Sequence, residues 1–208
     1  MNRPTGGPTF LEELKQQRWD DHRFYHQSRV TQSLHLFSAL CFLASYAILP
    51  FNPIAASLFG WTVAMWSRQI GHFFFEPKGF DQINNVTFDH KEEVKTGFNL
   101  QRKLLMLWAW LSIPALLWLS PTFFGIFSQS GGYTYFDRLG IVWLVLGIAG
   151  LLLRTFWLCG TQSVQTGVVW FTKILTDPFH DVKIYHMSPV WLLRGQWFDP
   201  MEHVQDSH

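Results

Sequence analysis

Four apolar runs, separated by polar stretches, organise the chain: Leu34–Leu49, Ile54–Phe75, Lys103–Leu119 and Leu139–Cys159. Each is close to the ~20 residues a helix needs to cross the hydrocarbon core of a bilayer. Open backbone does not survive in lipid, so helices are the expected form. The first run stops at Pro50, and Asn52 and Pro53 complete a tight turn into the second, which predicts an antiparallel helical hairpin. The second run stops at Pro77, and Pro114 is a kink position inside the third. Ser130, Gly131 and Gly132 mark a turn in the connection Ser120–Arg138. Leu11, Leu14, Arg18 and Trp19 recur at helical spacing, which predicts a surface helix within Phe10–Tyr25. Met1–Pro8 reads as disordered, Phe80–Gln101 as a loop or surface helix, and Val164–Leu175 as an interfacial segment. The expected organisation is therefore a polar N-terminal segment with a surface helix (1–33), a four-span membrane domain (34–159) and a cytoplasmic or interfacial C-terminal segment (160–208). The expected fold is all-α, a four-helix antiparallel transmembrane bundle with interfacial helices.

Composition sharpens this picture. Hydrophobic residues make up 48% of the 208 positions, aromatic residues 17% and charged residues only 15%, and the chain has 11 Trp and 20 Phe. Trp favours membrane–water interfaces, where one edge is wet and the other apolar. A net charge of +1 gives no bulk electrostatic case for nucleic acid. The two cysteines, Cys41 and Cys159, lie inside apolar runs, which sets aside a disulfide framework and a thiolate zinc site. The first thirty residues contain no apolar signal-peptide core, so insertion is expected to use the internal spans. With four spans, the N-terminus, the Phe80–Gln101 connection and the C-terminus share one side. Of the 16 Lys and Arg residues, all but Arg138 fall on that side. The positive-inside rule makes it cytoplasmic, in a bacterial inner membrane or the endoplasmic reticulum.

Of the nine histidines, His26, His35, His72, His90, His180 and His186 lie at or near the ends of apolar stretches leading to that same face. Imidazole is the commonest protein ligand for transition metals. His35 opens the first span and His72 closes the second, so both lie roughly 20–28 Å from the hairpin turn. They share a depth near the cytoplasmic boundary, where ionisable groups are costly and tend to be functional. Glu76, four residues after His72, can share its helix face. His26 and His35 are nine positions apart and would point to opposite sides of one continuous helix, so a shared site requires a bend within Gln27–Ser33. Gly71 permits close helix approach beside His72. Downstream, Pro178 suits a first helical turn capped by Asp177, and Asp181 is placed to orient an imidazole. His22, His203 and His208 read as solvated. Gly-rich phosphate loops, a Gly-x-Ser-x-Gly elbow, a His-Glu-x-x-His pair and the tight His-x-x-His-His clusters of membrane di-iron enzymes are all missing.

Tyr25-His26, then His35, then Arg68-Gln69-Ile70-Gly71-His72-Phe73-Phe74-Phe75-Glu76, resembles the small membrane family of 2-hydroxy-fatty-acid dioxygenases, which includes a fungal enzyme of the endoplasmic reticulum. The likeness covers Phe24–Glu76. Thr31 stands where the family often has Asn, and Pro77-Lys78-Gly79-Phe80 replaces the family's basic residues and Pro-Ala. The resemblance implies an Fe2+-dependent α-oxidation, in which a 2-hydroxy fatty acid loses its carboxyl carbon with O2 as oxidant. It implies His26, His35 and His72 as ligands, with His180, His90 and His186 as further candidates. Glu76 would be a ligand or an orienting group, and Arg68 or Arg29 would pair with the substrate carboxylate. The acyl chain would pack against Trp66, Phe73 and Phe74. Two other classes compete. A b-type haem protein would hold its macrocycle between facing histidines. A non-enzymatic membrane scaffold would be indifferent to the loss of His72.

Overall fold

In a computed structural model, residues 7–97, 99–128 and 130–201 are described. His203 and His208, and most of Met1–Pro8, lie outside them. The described residues are helical, with two isolated antiparallel bridges (Ser28 with Phe198, Asp81 with Val86) and no longer strand.

Helix α1 (Phe10–Tyr25) opens with a capping box: Thr9 Oγ1 accepts from the Glu12 N–H, and the Glu12 carboxylate accepts from Thr9 N–H at 2.8 Å. It ends one residue before His26, and α2 (Arg29–Ile48) begins three residues later. This break is the bend that a shared His26–His35 site requires. Asn52 caps α3 (Pro53–Phe59), with Pro53 in its first turn. A π-helical turn over Gly60–Met65, helix α4 (Trp66–Ile70) and a second π turn over Gly71–Phe75 continue the same rod. The second apolar run is thus one helical rod widened twice, not a uniform α-helix. π turns of this kind often sit at functional positions.

The chain continues through α5 (Phe88–Val94), α6 (Leu100–Leu119), α7 (Tyr135–Thr161), α8 (Val164–Tyr185) and α9 (Ser188–Leu193). Three helices, α2, α6 and α7, are long and apolar enough to cross a membrane. One expectation is corrected at α8. No helix starts at Asp177; Ser163 caps a helix that runs through Pro178. Asp177 instead accepts from Lys173 Nζ at 2.8 Å and pairs with Arg18 Nε at 3.4 Å, so its carboxylate ties α8 to α1.

The burial pattern is inverted relative to a water-soluble protein. α2 buries Thr31, Gln32, His35, Ser38 and Ser45, and exposes Phe37 and Leu40. α8 buries Lys173, Asp177 and Asp181, and exposes Ile174, Leu175 and Phe179. A polar interior with an apolar exterior is stable where the surroundings are hydrocarbon. The hairpin packs closely: a Cβ added at Gly71 would meet Thr31 Cγ2 at 3.3 Å, and Ser38 Oγ donates to the Ala64 carbonyl at 2.7 Å. Near the turn end, Trp110, Ile113, Leu117, Phe127, Leu139 and Trp143 form an apolar core against Leu58 and Trp61. There Trp61 Nε1 donates to the Trp143 carbonyl at 3.0 Å, and Trp143 Nε1 to that of Trp110 at 3.1 Å.

Candidate metal centre

His26, His35 and His72 converge at the open end of the hairpin. Their ring centroids are 4.0 Å apart for His26–His35, 4.9 Å for His35–His72 and 5.3 Å for His26–His72. One nitrogen from each lies within 4.8 Å of the others, and all three residues are buried. Each ring arrives by a different device. His26 sits in the α1–α2 break, where Gln32 Nε2 donates to its carbonyl at 2.8 Å. His35 is on the buried polar stripe of α2. His72 is the second residue of the Gly71–Phe75 π turn.

The outer nitrogens are tied back. His72 Nδ1 donates to Glu76 Oε2 at 2.7 Å, and His26 Nδ1 lies 2.8 Å from the Tyr185 hydroxyl. That hydroxyl also lies 3.0 Å from His22 Nδ1. The assignment that keeps the His26 Nε2 lone pair free has its Nδ1–H donating to Tyr185, and Tyr185 O–H donating to His22. His35 Nδ1 faces Asp181 Oδ2 at 3.6 Å, beyond hydrogen-bonding reach, because Asp181 accepts from Arg68 Nη2 at 2.8 Å. Neither nitrogen of the fully buried His35 has a hydrogen-bond partner. A buried imidazole left so is costly unless something else takes its lone pair. Donor atoms around one ion are about 3–4 Å apart at metal–nitrogen distances of about 2.1 Å, so small ring rotations would suffice to close the cluster.

The electrostatics suit neutral imidazole, the ligating form. Burial, then the neighbouring His35 ring and Arg68, hold His26 well below the ordinary histidine value. Burial raises the Glu76 carboxyl against the pull of Lys95, Lys103 and Lys91. Burial would also raise Asp181, but Arg68 and His35 outweigh it and keep the carboxyl below its ordinary value.

The other sequence candidates lie apart. His90 is exposed on α5, its backbone N–H bonded to Thr87 Oγ1 at 3.2 Å. His180 is half-buried on α8, and His186 is exposed, with Nδ1 near the Lys183 carbonyl at 2.9 Å. None of the three joins the triad. Arg68 and Arg29 are engaged internally, the latter with Asp199 at 3.0 Å. Phe74 is exposed, and Trp66 stacks edge-on against Trp110 at 5.4 Å. His22 is not solvated: it is buried against Tyr185. Its position one turn before His26, whose backbone N–H bonds to the His22 carbonyl at 3.1 Å, was the signal for it. Tyr185 carried no comparable signal, because it stands 159 positions after His26, on a helix that sequence spacing cannot align with it. No family model, curated protein or solved structure matches the chain.

Proposed function

We propose that the chain is a membrane-embedded, non-haem Fe2+ oxygenase acting on 2-hydroxy fatty acids, with four segments crossing the bilayer and both termini cytoplasmic. The observation that carries this reading is the buried His26–His35–His72 triad, with His35 lacking any hydrogen-bond partner. Imidazole donors alone suit several transition metals. The choice of iron, and of substrate, rests on the resemblance over Phe24–Glu76.

A bound ferrous ion would supply open positions at which a 2-hydroxy carboxylate and O2 meet. The chain's own groups prepare that site. Glu76 fixes the tautomer of His72, Tyr185 fixes that of His26, and the Asp181–Arg68 pair flanks His35. Groups in this role sharpen ligand orientation and basicity. The apolar exterior keeps bulk water from the rings. Overall, the bond between C1 and C2 of the substrate breaks; C1 leaves as CO2, C2 becomes the new carboxyl, and O2 accepts four electrons with one water released.

The rings crowd together within 5.3 Å, rather than facing one another across a slot, which favours a single ion over a haem macrocycle. The test is metal analysis of detergent-purified protein beside its His72→Ala variant, followed by incubation with 2-hydroxypalmitate, ferrous iron and O2. Iron near one per chain, lost in the variant, and a fifteen-carbon acid as product are expected. Zinc retained in both proteins, or no shortened product from iron-loaded protein, overturns the assignment. A Soret band would turn it towards haem, and metal content indifferent to His72→Ala towards a scaffold.

A further inference from the structure

Arg68 and Arg29 each already hold a carboxylate of the chain, at 2.8 Å and 3.0 Å. Two lysines without such a partner among the described residues, Lys78 and Lys103, lie beside His72. A small cleft of about 10 Å³, room for about one water, opens there between the end of the Gly71–Phe75 turn, α5 and the first turn of α6. His72, Glu76, Lys78, Glu92, Leu100 and Lys103 are in its wall. Its two carboxylates are committed. Glu76 accepts from His72, and Glu92 accepts from the Leu100 backbone N–H. Its two lysines form no direct ion pair: among the described residues neither Lys78 nor Lys103 touches a carboxylate, although Glu76 and Glu92 act on Lys103 from farther off. Lys103 is half-buried, whereas its neighbours Gln101 and Arg102 are exposed. Lys78 is exposed at the rim.

An apolar track leads away from this point. Leu100, Leu104, Trp108 and Leu111 follow one another at spacings of four, four and three, so they share a face of α6. Leu104, Trp108 and Leu111 are 43%, 73% and 47% exposed. A cation at the membrane-boundary end of an exposed apolar track matches an amphiphile with an anionic head and a long chain.

We propose that this cleft receives the head group of a long-chain carboxylate, with Lys103, aided by Lys78, pairing with the carboxylate beside the His triad and the acyl chain lying along the Leu104–Trp108–Leu111 face of α6. The assignment rests on the triad being a metal centre that works on an amphiphile, and it moves substrate recognition from the arginines to the lysines. Arg68 then acts as a positioning residue, through Asp181 and His35.

The probe is a dibrominated fatty acid, whose bromines quench nearby indole fluorescence, added to the full-length protein in zwitterionic nanodiscs. Binding is followed for wild type, Lys103→Met, Lys103→Arg, Trp108→Phe and Lys183→Met, the last replacing an exposed lysine elsewhere. Lys103→Met should weaken binding about tenfold or more, as loss of a charge-assisted bond does, with Lys103→Arg recovering most of it and Lys183→Met unchanged. Trp108→Phe should remove most of the quenching. Equal binding by wild type and Lys103→Met overturns the proposal, as does full competition by an anionic phospholipid, which would make the cleft a bilayer head-group anchor. Because binding is read without turnover, its outcome is separable from catalysis. Lysine-dependent binding without a shortened product leaves this site standing and the oxygenase reading fallen. With turnover, Lys103→Met should raise KM for 2-hydroxypalmitate about tenfold while iron content stays at the wild-type level.

Discussion

The two ends of the hairpin formed by α2 and the 53–75 rod are built from opposite materials. At the turn end, Trp61, Trp110, Trp143 and Leu139 pack an apolar core in which the Trp61 and Trp143 indoles donate to neighbouring carbonyls. At the open end, three buried imidazoles gather with buried Asp181 and Tyr185 and with partly buried Glu76 and Arg68. In the first region many contacts of similar size share the work, so its energetics are those of packing. In the second, a few specific polar contacts set the orientation of each ring, with Tyr185 shared by His26 and His22 and Asp181 set between Arg68 and His35, so its groups are replaceable only at the expense of the site. The same hairpin thus separates an apolar packing end from an end that gathers ionisable side chains.

The sharpest way to break this comparison is His35→Ala. It removes the candidate ligand that has no competing hydrogen bond, and metal affinity should fall by more than about 100-fold, beyond the range typical of supporting groups, with helix content unchanged by circular dichroism. Next comes Trp110→Ala, which should cost about 3–5 kcal/mol in detergent unfolding while metal per folded chain stays constant. Metal loss in Trp110→Ala matching that in His35→Ala would show that the two ends are one unit. Tyr185→Phe should weaken metal binding by about tenfold, because it removes the hydroxyl between His26 and His22 without altering ring packing; an unchanged metal titration would reduce Tyr185 to a packing residue.

The smallest effect lies outside both regions, at Asp81. Burial would raise its carboxyl, but the Asn84 backbone and amide donors, then Lys91 and Gln27, hold it below the ordinary value. Since the folded-state value is the lower one, its stabilisation is complete above the unfolded value of about 3.9 and is lost as pH falls through the folded value. Asp81→Asn should therefore flatten the acid limb of a pH–Tm profile below about pH 4 and leave metal content alone. A variant whose acid limb parallels wild type would show that Asp81 contributes nothing there.

Much of the architecture was legible in linear form because it depends on local regularities. Pro50, Asn52 and Pro53 announce the hairpin, the length of the runs announces helices, and the four-residue step from His72 to Glu76 becomes a 2.7 Å bond. The bend between His26 and His35 followed from the mismatch of nine residues with the helical repeat. The helix through Pro178 was not legible. Proline is a poor helix-interior residue by local rules, and what holds α8 together there is long-range: Asp177 and Thr176 receive Arg18 from α1, at 3.4 Å and 2.7 Å. The charge pattern assigns His90, His180 and His186 the same expected side as the triad, but side is not position. Depth along a span says nothing about which way a helix face turns.

The pattern of runs alone determined the helical class, the hairpin and the pairing of His35 with His72 at one depth, because periodicity and rise per residue are properties of the backbone. Only the tertiary structure decided which imidazoles meet, that His22 and Tyr185 stand behind them, and that Arg68 and Arg29 are occupied while Lys103 is not. Those outcomes depend on rotations of whole helices about their axes, and such rotations are set by packing between segments far apart in the chain.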